Sequence, residues 1–93
     1  MRLKGKTAIV TGGASGFGEG IVRKFLGEGA RIVIADINLV AAQIIADELG
    51  ESTVALQVDV ADGGSIESLK AATKKAFGEI DIIINNAGVT HLP

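Results

Sequence analysis

Thr7-Ala8-Ile9-Val10-Thr11-Gly12-Gly13-Ala14-Ser15-Gly16-Phe17-Gly18 decides the fold. Its first residues are a short apolar, β-branched run of the kind that forms a buried strand. Glycines then crowd the chain, and beyond them Ile21, Val22, Phe25 and Leu26 recur at helical spacing as one apolar stripe. A strand that runs through a tight turn into a helix cannot pair with its successor as a hairpin. A right-handed crossover through that helix places the next strand parallel to it.

Outward from that unit the same alternation repeats. Arg31-Ile32-Val33-Ile34-Ala35, Thr53-Val54-Ala55-Leu56-Gln57-Val58 and Ile80-Asp81-Ile82-Ile83-Ile84 read as the second, third and fourth strands. Between them, Asn38 is placed as the N-cap of a helix carrying Val40, Ala41, Ile44, Ile45 and Leu49 to Gly50. A third helix starts near Asp62 or Ser65, buries Ile66, Leu69, Ala72 and Ala76 or Phe77, and stops at Gly78. Gly27 and Gly29 end the first helix.

Right-handed crossovers predict an α/β fold with a parallel sheet in the order 3-2-1-4, an incomplete doubly wound domain. Reversing the winding direction puts two helices on one face and the third on the other. The switch point falls between strands one and four, and ligands of such sheets bind there, at the carboxyl ends of the strands. Thr11 to Gly18 and Asn85 to Gly88 occupy that place.

Composition narrows the function classes. The 93 residues make a single domain-sized segment, 47% hydrophobic, with a formal net charge of -2. No cationic cluster exceeds Arg23-Lys24 or Lys74-Lys75, so no nucleic-acid footprint is expected. The absence of Cys removes disulfides and thiolate metal sites, and a lone His91 gives no metal centre; a reducing cytoplasm is compatible. The apolar run after the basic N-terminus ends at Val10, too short for a signal peptide, and no run has membrane-spanning length.

The glycine turn suits a diphosphate. Glycine at the strand end adopts backbone angles closed to other residues, glycine nearer the ligand lets the main chain approach, and the helix N-terminus favours anions. Asp36 closes strand two about twenty residues further on, where a carboxylate accepts hydrogen bonds from ribose hydroxyls. It also repels a 2′-phosphate, and no Lys or Arg stands at Ser15 or Ile37 to offset this. NAD is therefore expected over NADP. Asp59-Val60 and Asn85-Asn86-Ala87-Gly88 bring polar and small residues to the same edge. The plainer alternatives are a turn serving only chain reversal, and Asp36 and Asp59 as ordinary turn residues. Ser15 lacks a His-Asp constellation, and His91 lacks a positioned partner.

Together these four motifs resemble the first part of a classical short-chain dehydrogenase/reductase, a Rossmann-like family, and the likeness runs along essentially the whole chain. Thr11, Gly12, Gly16 and Gly18 match the family's Thr-Gly-x-x-x-Gly-x-Gly turn, and Asp36 stands where NAD-preferring members carry an acidic residue. The resemblance implies that Asp59 contacts the adenine amino group and the Val60 main chain reads the ring. It assigns Asn86, Ala87 and Gly88 to the adenosine-ribose side and to holding the central sheet. The expected cofactor-binding set is Gly12, Ser15, Gly16, Phe17, Gly18, Asp36, Ile37, Asp59, Val60, Asn86, Ala87 and Gly88, with no catalytic or metal-ligating residue.

The implied activity is interconversion of secondary alcohols and ketones by hydride transfer to NAD. The family's catalytic helix Asn, Ser and Tyr-x-x-x-Lys lie beyond the Asn-Asn-Ala-Gly motif, and the sequence has no Tyr. Residues 1-93 alone are thus expected to bind cofactor without turnover. A stand-alone dinucleotide-binding module and a self-associating, non-catalytic segment are the alternatives. Strand four, apolar apart from Asp81, is expected to leave an open edge, and the chain is expected to form homo-oligomers by pairing at that edge or by packing of the uncovered sheet face.

Overall fold

The computed structural model describes residues 2–59 and 63–85. Seven elements alternate: β1 (Thr7–Thr11), α1 (Gly16–Gly27), β2 (Arg31–Asp36), α2 (Leu39–Leu49), β3 (Thr53–Gln57), α3 (Gly63–Phe77) and β4 (Ile82–Asn85). All strand pairs are parallel, in the order β3-β2-β1-β4. This is the expected order. Ile9 stands opposite Val33 on one side and Ile83 on the other, so β1 is paired along both edges.

Because successive side chains of a strand point to opposite faces, the sheet divides its apolar residues between two layers. Ala8, Val10, Ile32, Ile34 and Ala55 face α1 and α2 and pack with Val22, Ala42, Ile45 and Ala46. Ile9, Val33 and Ala35 face the other way and pack with Leu69 of α3 and with Val58. Two helices cover one face and one covers the other. Arg31 adds a contact at the amino end of β2, its guanidinium lying 5.4 Å from the centre of the Phe77 ring.

Helix ends follow the local chemistry. Asn38 caps α2, its side-chain oxygen accepting from the Ala41 N–H at 3.0 Å. Gly29, Gly50 and Gly78 stand at or just beyond the three helix ends at positive φ, where residues with a Cβ are disfavoured. Arg23 of α1 donates to Glu19 on its own helix at 2.9 Å and to Glu48 of α2 at 2.6 Å. The hydrogen bond to Glu19 first, and that to Glu48 second, raise the guanidinium pKa above its ordinary value.

The fourth strand is shifted from its sequence expectation. It covers Ile82–Asn85 instead of Ile80 to Ile84. Asp81 stands before it, its N–H donating to the Thr7 carbonyl at 2.9 Å and its carboxylate accepting from the Thr7 N–H at 2.9 Å. Ile80 turns into the layer under α3 and does not border the edge. Ile83 remains 50% exposed, because α3 lies toward β2 and away from β4.

Depth of burial sets a clear contrast between two apolar residues. Ile32 is fully enclosed, whereas Val40 on α2 is 73% exposed. Ile32→Ala is expected to lower unfolding free energy by about 2–5 kcal/mol, and Val40→Ala by no more than about 0.5 kcal/mol. Urea unfolding of both variants checks this.

Candidate functional site

Directly after β1 the chain must reverse and start a helix within four residues, and its amide groups can be followed one by one. Gly12 takes φ 67° and donates its N–H to the Ala35 carbonyl at 2.7 Å. The Gly13 N–H reaches the same oxygen at 3.4 Å. A Cβ on Gly13 would sit 2.9 Å from Ile34 Cγ2 and 3.1 Å from the Val10 carbonyl oxygen, so this glycine is required by packing. The Ala14 N–H donates to Asp36 Oδ2 at 3.0 Å, and the Ser15 N–H to the Gly12 carbonyl at 3.1 Å.

Ser15 is the N-cap of α1. Its hydroxyl accepts from the Gly18 N–H at 3.2 Å and donates to the Gly12 carbonyl at 2.8 Å. These bonds leave the N–H groups of Gly16 and Phe17 without an acceptor among the described residues. Both sit in the first turn of a twelve-residue helix, at the positive end of its dipole. A Cβ added to Gly16 would meet no atom within 4 Å. Nothing in the described fold therefore demands glycine there. The position stands open beside the two amides.

Asp36, the last residue of β2, uses both carboxylate oxygens on the main chain. Oδ2 holds Ala14, and Oδ1 accepts from the Asn38 N–H at 3.0 Å. The neighbouring strand ends are stitched to it. The Val58 N–H donates to the Asp36 carbonyl at 3.1 Å, and Gln57 Nε2 donates to the Ile37 carbonyl at 3.2 Å. Asp59 follows at once and is exposed, as is Ile37 at 64%. Phe17 stands at the start of α1 with 72% exposure.

On the other side of β1, Thr11 is buried and its hydroxyl points its single proton at the Ile84 carbonyl (3.2 Å) and Asn85 Oδ1 (3.0 Å). That bond joins β1 to β4 at the switch point. The structure thus gathers Gly12, Ser15, Gly16, Phe17, Gly18, Asp36, Ile37 and Asp59 along the carboxyl edge of one sheet. Val60, Asn86, Ala87, Gly88 and His91 lie outside the described residues. Three further positions at this edge, Gly13, Ala14 and Asn85, lie within the stretches that the sequence brings to the switch point but outside the expected cofactor-binding set. Gly13 is the glycine that the spacing pattern does not require, Ala14 contributes only its main chain, and Asn85 precedes the Asn86-Ala87-Gly88 set.

Comparison with known proteins bears on this edge. The family model for short chain dehydrogenase matches residues 6–93. The chain belongs to the short-chain dehydrogenase family. It is 46% identical over 92 residues to a sorbitol dehydrogenase of Cereibacter sphaeroides, covering 99% of this chain and 36% of that protein. Identity is 43% over 88 residues to a 3-beta-hydroxysteroid dehydrogenase of Comamonas testosteroni, covering 95% and 35%. In structure it resembles a 3-ketoacyl-(acyl-carrier-protein) reductase from Brucella melitensis complexed with NADH, at TM-score 0.84 and 36% identity, over 87% of this chain and 34% of that one. A short-chain dehydrogenase/reductase from Burkholderia phymatum in complex with NAD gives TM-score 0.83 and 30% identity, over 89% and 31%. The chain spans about a third of the length of these relatives.

Within the short-chain dehydrogenase turn, the two central glycines answer to different demands, and substitution separates them. Gly13→Ala is expected to cost about 1–3 kcal/mol of stability, because Ile34 and the β1 backbone must give way. Gly16→Ala is expected to leave stability unchanged or slightly raised. Equal losses in denaturant titration would contradict the assignment.

Proposed function

We propose that this chain binds NAD(H) at the carboxyl edge of its sheet, as the cofactor-binding portion of an oxidoreductase that interconverts secondary alcohols and ketones. The observation that carries the reading is the pair of open amides at Gly16 and Phe17, set beside an unfilled Cβ position and next to the Asp36 carboxylate. The complexes of the Brucella and Burkholderia proteins with NADH and NAD support it by likeness of fold.

In this reading Gly16 and Phe17 would donate to the diphosphate, with Gly12, Ser15 and Gly18 shaping the turn. Asp36 would accept from the adenosine ribose hydroxyls through lone pairs that its two main-chain bonds leave available. Ile37 would flank the adenine, with Asp59 and Val60 at its rim; Asn86, Ala87 and Gly88 would complete the ribose side. The nicotinamide, when bound, supplies or takes up the hydride. This chain's residues bind and orient; with no Tyr in the sequence, they do not provide the proton donor.

NAD is favoured over NADP on electrostatic grounds. A 2′-phosphate would approach the Asp36 carboxylate, whose two main-chain bonds hold it in place, with no cationic side chain at positions 15 or 37. Calorimetric titration is expected to show Asp36→Ala weakening NAD by about 1.5–3 kcal/mol and NADP by less. A wild type that prefers NADP, or a ratio untouched by the substitution, would remove Asp36 from ribose recognition.

The chain is also proposed to self-associate. β4 pairs with β1 alone among the described strands, and Ile83 is half exposed on the face that α3 leaves open. An apolar strand edge of this kind templates further pairing. Sedimentation across a dilution series is expected to show dimers or larger species, shifted toward monomer by Ile83→Lys. A wild type that stays monomeric at every concentration would overturn this.

A further inference from the structure

Asp36, the residue proposed for the ribose, also holds the glycine turn through the same carboxylate. Its Oδ2 accepts from the Ala14 N–H at 3.0 Å, its Oδ1 from the Asn38 N–H at 3.0 Å, and the Ala35 carbonyl just before it accepts from Gly12 at 2.7 Å. Ala14 directly precedes the N-cap Ser15, so the position of its amide sets where α1 begins and where the Gly16 and Phe17 N–H groups aim. The hydrogen bond to Ala14 spans 22 residues of sequence, and no neighbouring backbone group does the same work for that amide among the described residues. A bond from an amide to an ionised carboxylate is of the stronger kind.

We infer that Asp36 is a positioning residue for the diphosphate: by holding Ala14, it keeps the turn in the shape that presents the Gly16 and Phe17 amides. The inference rests on the proposed dinucleotide site and adds to it a coupling between its two halves. Ribose recognition and diphosphate recognition share one carboxylate. Removing that carboxylate then lowers affinity for NAD and NADP alike, on top of any change in their ratio. The ratio reports the ribose contact, and the common loss reports the turn.

Charge gives the test its sign. Removing a carboxylate beside an anion site, with no other consequence, tightens anion binding, because like-charge repulsion is relieved. Loosening the turn weakens it. Inorganic pyrophosphate has no ribose and is therefore the probe, titrated into the 93-residue chain while the Gly16 and Phe17 amide resonances are followed. Asp36→Ala is expected to weaken pyrophosphate binding by about threefold despite the lost repulsion. In the same variant, hydrogen exchange of the bonded amides of the turn, Gly12, Gly13, Ala14, Ser15 and Gly18, is expected to quicken by about tenfold, as for loss of one charge-assisted bond. Asp36→Asn keeps the size and one acceptor oxygen, and is expected to fall between wild type and Asp36→Ala in exchange.

Unchanged exchange in Asp36→Ala, or tighter pyrophosphate binding, would overturn the inference while leaving the ribose contact intact. Wild-type Gly16 and Phe17 resonances that respond to neither pyrophosphate nor NAD would instead overturn the dinucleotide reading, and the exchange rates then decide the positioning role alone. Should Asp36→Ala lose cooperative unfolding, the comparison of wild type with Asp36→Asn carries the same decision.

Discussion

The carboxyl end of β2 holds the glycine turn. The Ala35 carbonyl receives the Gly12 amide at 2.7 Å and the Gly13 amide at 3.4 Å, and the Asp36 carboxylate receives Ala14 at 3.0 Å. Three consecutive N–H groups are thereby fastened to a strand whose own interior residues, Ile32 to Ala35, are fully buried. A turn in solvent would be free to adopt many conformations; this one is tied to a strand with a fully buried interior. Buried backbone groups without partners are costly, so the geometry is closely determined. Among the described residues, the amides that remain unengaged are those of Gly16 and Phe17.

The sheet that supplies this support is built asymmetrically. Around β1 and β2 both faces are covered, and Ala8, Val10, Ile32 and Ile34 form one continuous layer with α1 and α2. Toward β4 the cover thins, and Ile83 is left half exposed. The carboxyl edge of the sheet inherits the same gradient. Its β2 side carries the hydrogen bonds of Asp36, Gln57 and Val58, whereas its β4 side is joined to β1 at the carboxyl end through the Thr11 hydroxyl and the Thr11 pairing with Asn85. The hydrogen bonds that fasten the glycine turn thus come from the better-packed side.

Periodicity, glycine spacing and the caps determined the order of elements, the 3-2-1-4 sheet and the edge at which the candidate site residues gather, because each follows from which residues are apolar and which backbone angles are allowed. Asn38 and Gly50 were legible for that reason, as were Gly12 and Asp36. Only the tertiary structure decided which amides of the turn are engaged, since Ala14 and Asp36 meet across 22 residues and only the folded strands bring them together. It alone distinguished Gly13, pressed against Ile34, from Gly16, which faces open space, although the two letters are the same in sequence. It also moved Ile80 off the strand and set Asp81, just before β4, against the Thr7 main chain, a pairing across 74 residues of sequence that only the folded sheet brings about.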